Sequence, residues 1–235
     1  MGRFQLACLP GNPNREALAN LTARVVAAAR NAGMESIQYG ELLPQESVWL
    51  ALLQAQGFER VRSERFFEIA YRDAWKRITQ LHERHRAEIP STWRTEPIRN
   101  HRPEEIMELA TPYRLLPPED VRHYWEATTT GGFDLELSCI LYDEQRPIGT
   151  FLVRWVADGV FIEVQIVEEP NRRRRALGDL CLLYHGVSRV APDGPLKWLR
   201  FRSGESEHRQ TANLALRMGG RELPRRHVLT RDLRG

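Results

Sequence analysis

The densest chemistry-bearing stretch of the sequence is Arg172, Arg173, Arg174 and Arg175, followed directly by Ala176, Leu177 and Gly178. A guanidinium is a permanent cation whose planar fork of donors matches phosphate oxygens. Three readings of the run stand open: a polyanion patch, a solvated charge run, or a cradle for one phosphate ligand. An apolar strand-like run ends at Pro170 just before it, so the arginines sit where a strand turns into a helix. Helix starts expose unpaired N–H groups and the positive end of the dipole, and therefore bind phosphate. Small residues at Ala176 and Gly178 would let a pyrophosphate approach the backbone. A nucleic-acid face would want a broad basic surface with interleaved aromatics, whereas Glu168, Glu169 and Asp179 flank this run closely. The cradle is the favoured reading.

Glu163 is the second group of interest, mid-strand between Ile162 and Val164 and about ten residues before the turn. A carboxylate in apolar surroundings can take the proton of an attacking amine. A strand carboxylate can equally face solvent or pair with an arginine such as Arg154, and the residues alone do not choose. Glu168 and Glu169 are weaker bases, at the strand end and beside the arginines they would balance. His82 and His85 have a spacing seen in metal sites, but no third ligand stands near, so a solvated helix face is favoured and no metal is expected.

These residues need a scaffold. A chain of 235 residues can form one large domain or two smaller ones. Its composition, 42% hydrophobic and 28% charged, is that of a soluble globular protein, and a formal net charge of +3 is small for a dedicated polyanion binder. Lys76 and Lys197 are the only lysines, so the arginine excess reads as compositional bias. Cys8, Cys139 and Cys181 have no CxxC spacing and read as reduced, small hydrophobes. No stretch has the signal-peptide pattern or the about 20 apolar residues of a membrane span. A cytoplasmic compartment and no membrane partner are expected.

Along the chain, FQLACLP reads as a strand closed by Pro10-Gly11-Asn12-Pro13. Leu18, Leu21, Val25, Ala28 and Ala29 then follow helical spacing up to Gly33, placed for a left-handed cap. MESIQYGELLP reads as a strand, ESVWLALLQAQ as a helix ended by Gly57, and ERVRSERFFEIAY as a closing strand. Residues 72–96 read as a helical connector, with Trp75, Ile78 and Leu81 on one spacing. After Pro97 come a short strand at Ile98 and Arg99, two amphipathic helices, three strands, a helix from about Ala176 to Val190, a strand, a helix and a final strand. The pattern is mixed α/β (α+β), not a repeating βαβ unit.

The sequence also echoes itself. REALANL, from Arg15, matches RRALGDL, from Arg174, at the first, third, fourth and last positions, and each follows a strand-like run ending in proline. LALLQAQGFERVRSERFFEI, from Leu50, resembles LALRMGGRELPRRHVLTRDL, from Leu214, with Gly57 beside Gly219. A duplication is favoured over chance matching of Leu-Ala helices.

With these motifs, residues 97–235 resemble a complete domain of the GNAT N-acetyltransferase superfamily, and residues 1–71 resemble the C-terminal half of another. The superfamily turn is a strand, a proline, then [Gln/Arg]-x-x-Gly-x-[Gly/Ala] opening a helix. Arg173-Arg174-Arg175-Ala176-Leu177-Gly178 is similar to it, with Ala176 replacing the first glycine. A register starting at Arg175 keeps Gly178 but fits Pro170 less well. The resemblance implies a GNAT-like acyl-CoA acyltransferase fold in tandem with a truncated half-domain, and acetyl-CoA or another acyl-CoA as co-substrate. It implies pyrophosphate on Arg172, Arg173, Arg174, Arg175, Ala176, Leu177 and Gly178, and pantetheine paired to the strand edge at Ile166, Val167 and Glu168. It further implies Glu163 as general base and a small-molecule or peptide amine against the helices from Tyr113 to Thr130, where His123, Tyr124 and Trp125 would line the pocket.

Two departures follow. Ala215 stands where many members place the tyrosine that protonates the leaving thiolate, and His208 replaces a common asparagine, so the acid role is open between His208, water and no group. In the first segment, Asn14-Arg15-Glu16-Ala17-Leu18-Ala19 has one arginine, no glycine and an adjacent acid. That half is expected to be degenerate, to pack against the complete domain and to bind no coenzyme A. The leading function is an acyl-CoA-dependent N-acyltransferase working by direct attack; the alternative is an acyl-CoA-binding pseudo-enzyme or regulatory module. The amine and the oligomeric state stay open, and no nucleic-acid partner is expected.

Overall fold

The structure is a computed structural model, and it describes residues 2–4, 15–39, 43–110, 118–127, 131–204, 215–216 and 218–234. The chain divides into two compact units, one of residues 1–66, 203–211 and 222–235, the other of residues 67–202 and 212–221. The boundary differs from that read in the sequence. The segment after residue 221 belongs with the first unit, and residues 72–96 belong to the second rather than forming a separate connector. Alternation in ELPRRHVLTRDL identifies a strand, but nothing local says which sheet it joins.

In the first unit, β1 (Gly2–Phe4) lies parallel to β2 (Ser36–Tyr39). The strand β10 (Arg221–Asp232) runs antiparallel to β2 and also pairs with the short β3 (Leu43–Pro44). The helices are α1 (Arg15–Asn31) and α2 (Val48–Ala55), and β4 (Glu59–Ala70) begins here. Val26 and Ala29 of α1, Leu50 and Leu53 of α2, Ile37, Tyr39 and Leu229 share one core. Both predicted glycine stops hold. Gly33 at φ 70 and Gly57 at φ 78 take the left-handed conformation that ends a helix at little steric cost to glycine.

The second unit opens with α3 (Tyr71–His85) and a 3-10 turn (Arg86–Glu88). Its strands β5 (Trp93–Pro97), β6 (Cys139–Asp143), β7 (Arg146–Val156) and β8 (Gly159–Val167) pair antiparallel in that order, and β8 pairs parallel with β9 (Trp198–Gly204). Ile98 and Arg99 are not a strand but part of a 3-10 turn, Ile98–Asn100. The strand ends at Pro97, opposite Cys139, and the Ile98 N–H turns to the Ser138 carbonyl.

Two apolar layers cover this sheet. On one face α3 and α6 (Arg172–Ser188) bring Ala74, Ile78, Leu177 and Leu182 against Val153, Val160 and Val167. On the other, Ile98, Ile106 of α4 (Pro103–Ala110) and Val121 of α5 (Pro118–Glu126) meet Leu152, Val164 and Ile166. No helix among the described residues is long and apolar enough to cross a membrane.

Candidate active site

Strand β8 organises the site. It pairs with β9 from Gly159 opposite Trp198 to Ile162 opposite Phe201. Beyond that point β8 runs on to Val167, paired to β7 alone among the described residues. Its other edge therefore opens at a fork just after Ile162 and leads to the turn before α6. Pairing to β7 jumps from Val153 opposite Ile162 to Leu152 opposite Val164, so Glu163 is the extra residue of a β-bulge. A bulge re-aims side chains beside it. Ile162 sits in the core on the α6 side, and Val164 in the core under α4 and α5.

Glu163 is buried, and arginines face both its oxygens. Arg154 of β7 donates from Nε to Oε1 at 2.7 Å and also from Nη2. Arg202 of β9, the residue after the last paired one, brings Nη2 to 3.4 Å from Oε2. Arg154 is anchored further: Nη1 donates to the Gly131 carbonyl at 3.1 Å, and the guanidinium lies 4.3 Å from the centre of the Tyr124 ring. Of the two arrangements open in the sequence, the strand carboxylate paired with Arg154 is the one present. Burial raises the Tyr124 phenol above its ordinary value. Trp125 is packed against the same core and His123 is exposed, while Tyr113 and Thr128 to Thr130 lie outside the described residues.

At the other end of the open edge, all four arginines lie in the first turn of α6, which starts at Arg172 rather than near Ala176. Asn171 is the reason. Its side-chain oxygen accepts the N–H groups of Arg173 at 2.9 Å and Arg174 at 3.1 Å, the arrangement that makes asparagine a favoured helix cap. An asparagine directly before a helical run is a signal the sequence carries.

Carboxylates hold the arginine side chains. Arg173 Nη2 donates to Glu88 at 2.6 Å; Arg174 donates to Glu169 at 2.9 Å and to Asp143 at 3.1 Å. His85 and Arg173, in that order of effect, lower the Glu88 carboxyl, and a hydrogen bond from Thr92 is the leading cause that lowers Asp143. Arg175 Nε donates to the Glu169 carbonyl at 2.8 Å, Arg172 and Ala176 are exposed, and Leu177 is buried. Gly178 has a packing reason: a Cβ there would lie 2.8 Å from Val167 Cγ1 and 3.2 Å from Leu141 Cδ2. Ile166 and Val167 are buried, and the Glu168 N–H donates to the Ile148 carbonyl at 2.6 Å. About two turns into α6, Asp179 accepts from Gln165 of β8 at 3.1 Å, and burial pushes its carboxyl up to about 6.

His208 lies outside the described residues. Ala215 is fully buried, and its carbonyl accepts the Met218 and Gly220 N–H groups. No group of three or more metal-ligating side chains occurs among the described residues. An apolar cavity of about 20 Å³ between Phe151, Val160, Leu183 and Leu199 lies on the α6 side and has room for about one water.

Comparison with solved structures gives many alignments across nearly the whole chain. A tandem GNAT protein from the clavulanic acid biosynthesis pathway, solved without AcCoA, aligns with TM-score 0.65 at 15% identity, over 99% of this chain and 76% of that one. The chain has a GNAT fold. A GCN5-related N-acetyltransferase from Sphaerobacter thermophilus aligns with TM-score 0.57 at 15% identity, covering 95% of this chain and 71% of that one. A conserved protein from Enterococcus faecalis V583, described as a probable N-acyltransferase, gives TM-score 0.60 at 10% identity, over 98% and 54%. No protein-family model matches the sequence. A search of curated proteins returns no match. The GNAT fold is thus a likeness of backbone arrangement, and the mixed α/β architecture expected from the element order is the one present.

The site residues that sequence reasoning did not single out are Asn171 and Arg202. PLKWLRFRS places Arg200 and Arg202 on one face of a strand, but not which face meets Glu163.

Proposed function

We propose that the chain is an acyl-CoA-dependent N-acyltransferase, with acetyl-CoA the first co-substrate to test. The observation that carries this reading is the open edge of β8, which joins the arginine turn at one end to a buried carboxylate at the fork on the other. A GNAT fold around that edge agrees with it. The phosphates of coenzyme A take Arg173 from Glu88 and Arg174 from Glu169 and Asp143, with Arg175 beside them, while the pantetheine amides pair with the β8 backbone from Val167 back towards Glu163. Four strand residues span about 13 Å, so the thioester comes to rest at the fork, where β9 closes the edge. Face-on to it stand α5 and Tyr124, and the amine enters from that side.

The amine nitrogen attacks the thioester carbon, the C–S bond breaks, and coenzyme A leaves as thiolate. Glu163 is the proton acceptor, and it must give up part of its arginine pairing to act. The segment 1–71 is read as a degenerate repeat that holds no coenzyme A, since Glu16 stands in the first turn of α1.

A second reading, an acyl-CoA-binding protein with little turnover, is favoured by two observations: Asn171 already occupies two N–H groups of the turn, and both oxygens of Glu163 are engaged. Calorimetry with acetyl-CoA and a coenzyme A release assay over polyamines, amino acids, aminoglycosides and peptide N-termini separate the readings. Binding with release on at least one amine supports the enzyme; binding without release supports the second reading. No heat at millimolar acetyl-CoA with folded protein overturns both.

A further inference from the structure

We propose that the acceptor amine carries an anionic group, a carboxylate or a phosphate, and that Arg200 binds that group with Arg221 beside it. This deepens the acyltransferase reading above and rests on it. Strand β9 turns Leu199 and Phe201 into the core on the α6 side, so Trp198, Arg200 and Arg202 stand on the other face. Arg202 reaches Glu163 there, and none of the three belongs to an apolar core among the described residues. In the neighbouring strand β4, Phe67 and Ile69 enter the same α6-side core, which turns Glu68 to the face of Arg200. Glu68 takes two guanidiniums. Arg200 donates to Oε2 from Nε at 2.7 Å and from Nη2 at 2.6 Å. Arg221 donates to Oε1 from Nε at 3.0 Å and from Nη2 at 2.5 Å. All these residues belong to the second unit.

Two cations on one carboxylate leave a positive excess at this cluster, whereas the nearby Lys197–Asp158 pair is balanced. The Arg200 guanidinium lies 3.9 Å from the centre of the Trp198 ring. That ring is itself fixed: Nε1 donates to Asp158 Oδ1 at 2.8 Å, and the indole lies over Gly159, where any Cβ would overlap it. A guanidinium stacked on one face and bonded along its Nε–Nη2 edge still presents the fork of Nη1 and the second Nη2 hydrogen. Such a fork, already oriented, matches a carboxylate or a phosphate. Its place relative to Glu163 sets the size of the ligand. β8 pairs Phe161 with Arg200 and Ile162 with Phe201, so Glu163 lies two strand residues, about 7 Å, beyond the level of Arg200. An amine at Glu163 with its anionic group a few bonds away spans that interval. A polyamine would instead bring a second ammonium against the excess positive charge.

Two pairs of acceptors make the test: glycylglycine against glycylglycinamide for the carboxylate, and O-phosphoethanolamine against ethanolamine for the phosphate. Coenzyme A release from acetyl-CoA gives kcat and KM for each, and calorimetry into protein saturated with coenzyme A gives Kd without turnover. The anionic member of at least one pair is expected to have KM and Kd about tenfold lower, and the pair that shows the gap names the group. Arg200→Gln should close the gap with affinity for coenzyme A unchanged. Arg221→Gln, at a side chain 75% exposed, should narrow it by removing the excess charge, and it decides if the Arg200 variant does not fold. A folded Arg200 variant that keeps the gap overturns the proposal, since Arg200 is then only a brace between β4 and β9. Wild-type turnover with anionic and neutral members alike sinks this inference alone. A calorimetric gap without coenzyme A release on any amine keeps the anion site and sinks the enzyme reading. Absence of coenzyme A binding by wild type sinks the acyltransferase reading, and this inference with it.

Discussion

Helices α1 and α6 begin from closely similar sequences and are both 17 residues long. Leu18 and Leu177, at matching places, are each 7% exposed, and Leu177 belongs to the core of its own unit. Around that shared leucine the two diverge. α1 carries Glu16 in its first turn, whereas α6 carries four arginines and no acid there. Ala19 stands where α6 has Gly178, and Gly178 lets α6 lie against Val167 and Leu141 closer than a side chain allows. Asn20 stands where α6 has Asp179, a carboxyl burdened by its own burial. The leucine sets the helix; its neighbours decide how close the helix lies and which charge its start can hold.

Removing residues 222–235 should break the comparison most strongly. The first unit would lose β10 with Leu229 and Leu233, each worth about 2–5 kcal/mol when deleted from a core. Hydrogen exchange should show α1 amides unprotected while α6 amides stay protected; equal protection of α1 before and after would refute the assignment of β10 to that core.

Next in size is Asp179→Asn, which gives α6 the residue type of α1. Burial raises the Asp179 carboxyl from 3.8 to about 6, so its favourable contribution is full below about pH 4 and lost as pH rises through about 6. The amide should therefore stabilise the protein by at most about 3 kcal/mol at pH 8 and by nothing near pH 3. Urea melts at the two pH values measure this, and a gain independent of pH would remove Asp179 from the account.

The smallest effect is the exchange at the neighbouring position. Gly178→Ala places a methyl 2.8 Å from Val167, an overpacking of about 1–3 kcal/mol partly offset by about 1 kcal/mol of helix propensity. Ala19→Gly in α1 should cost about 1 kcal/mol by propensity alone. A stabilising Gly178→Ala would show that the two helices do not differ in how closely they pack.

Much of the site was legible before the fold. A strand, a proline and an arginine run leading into a helix predicted the turn, and Gly33 and Gly57 end their helices as expected. The start of α6 lies at Arg172 rather than near Ala176, because the Asn171 side chain caps the helix there. The partners of the arginines were not legible at all: Glu88 is 85 residues from Arg173, and Asp143 is 31 from Arg174. For Glu163, proton acceptor and partner of Arg154 looked equally plausible along the strand, since alternation says nothing of a bulge.

By itself the sequence determined the kinds of element, their order and their stops. Helix ladders, caps and glycine turns are closed within a few neighbouring residues. Only the tertiary structure decided that β10 completes the first unit, that β8 and β9 part after Ile162, and that Arg154 and Arg202 meet at one carboxylate. Strand pairing and ion pairing join residues far apart in the chain, and a local pattern is equally compatible with many partners until the sheet is assembled.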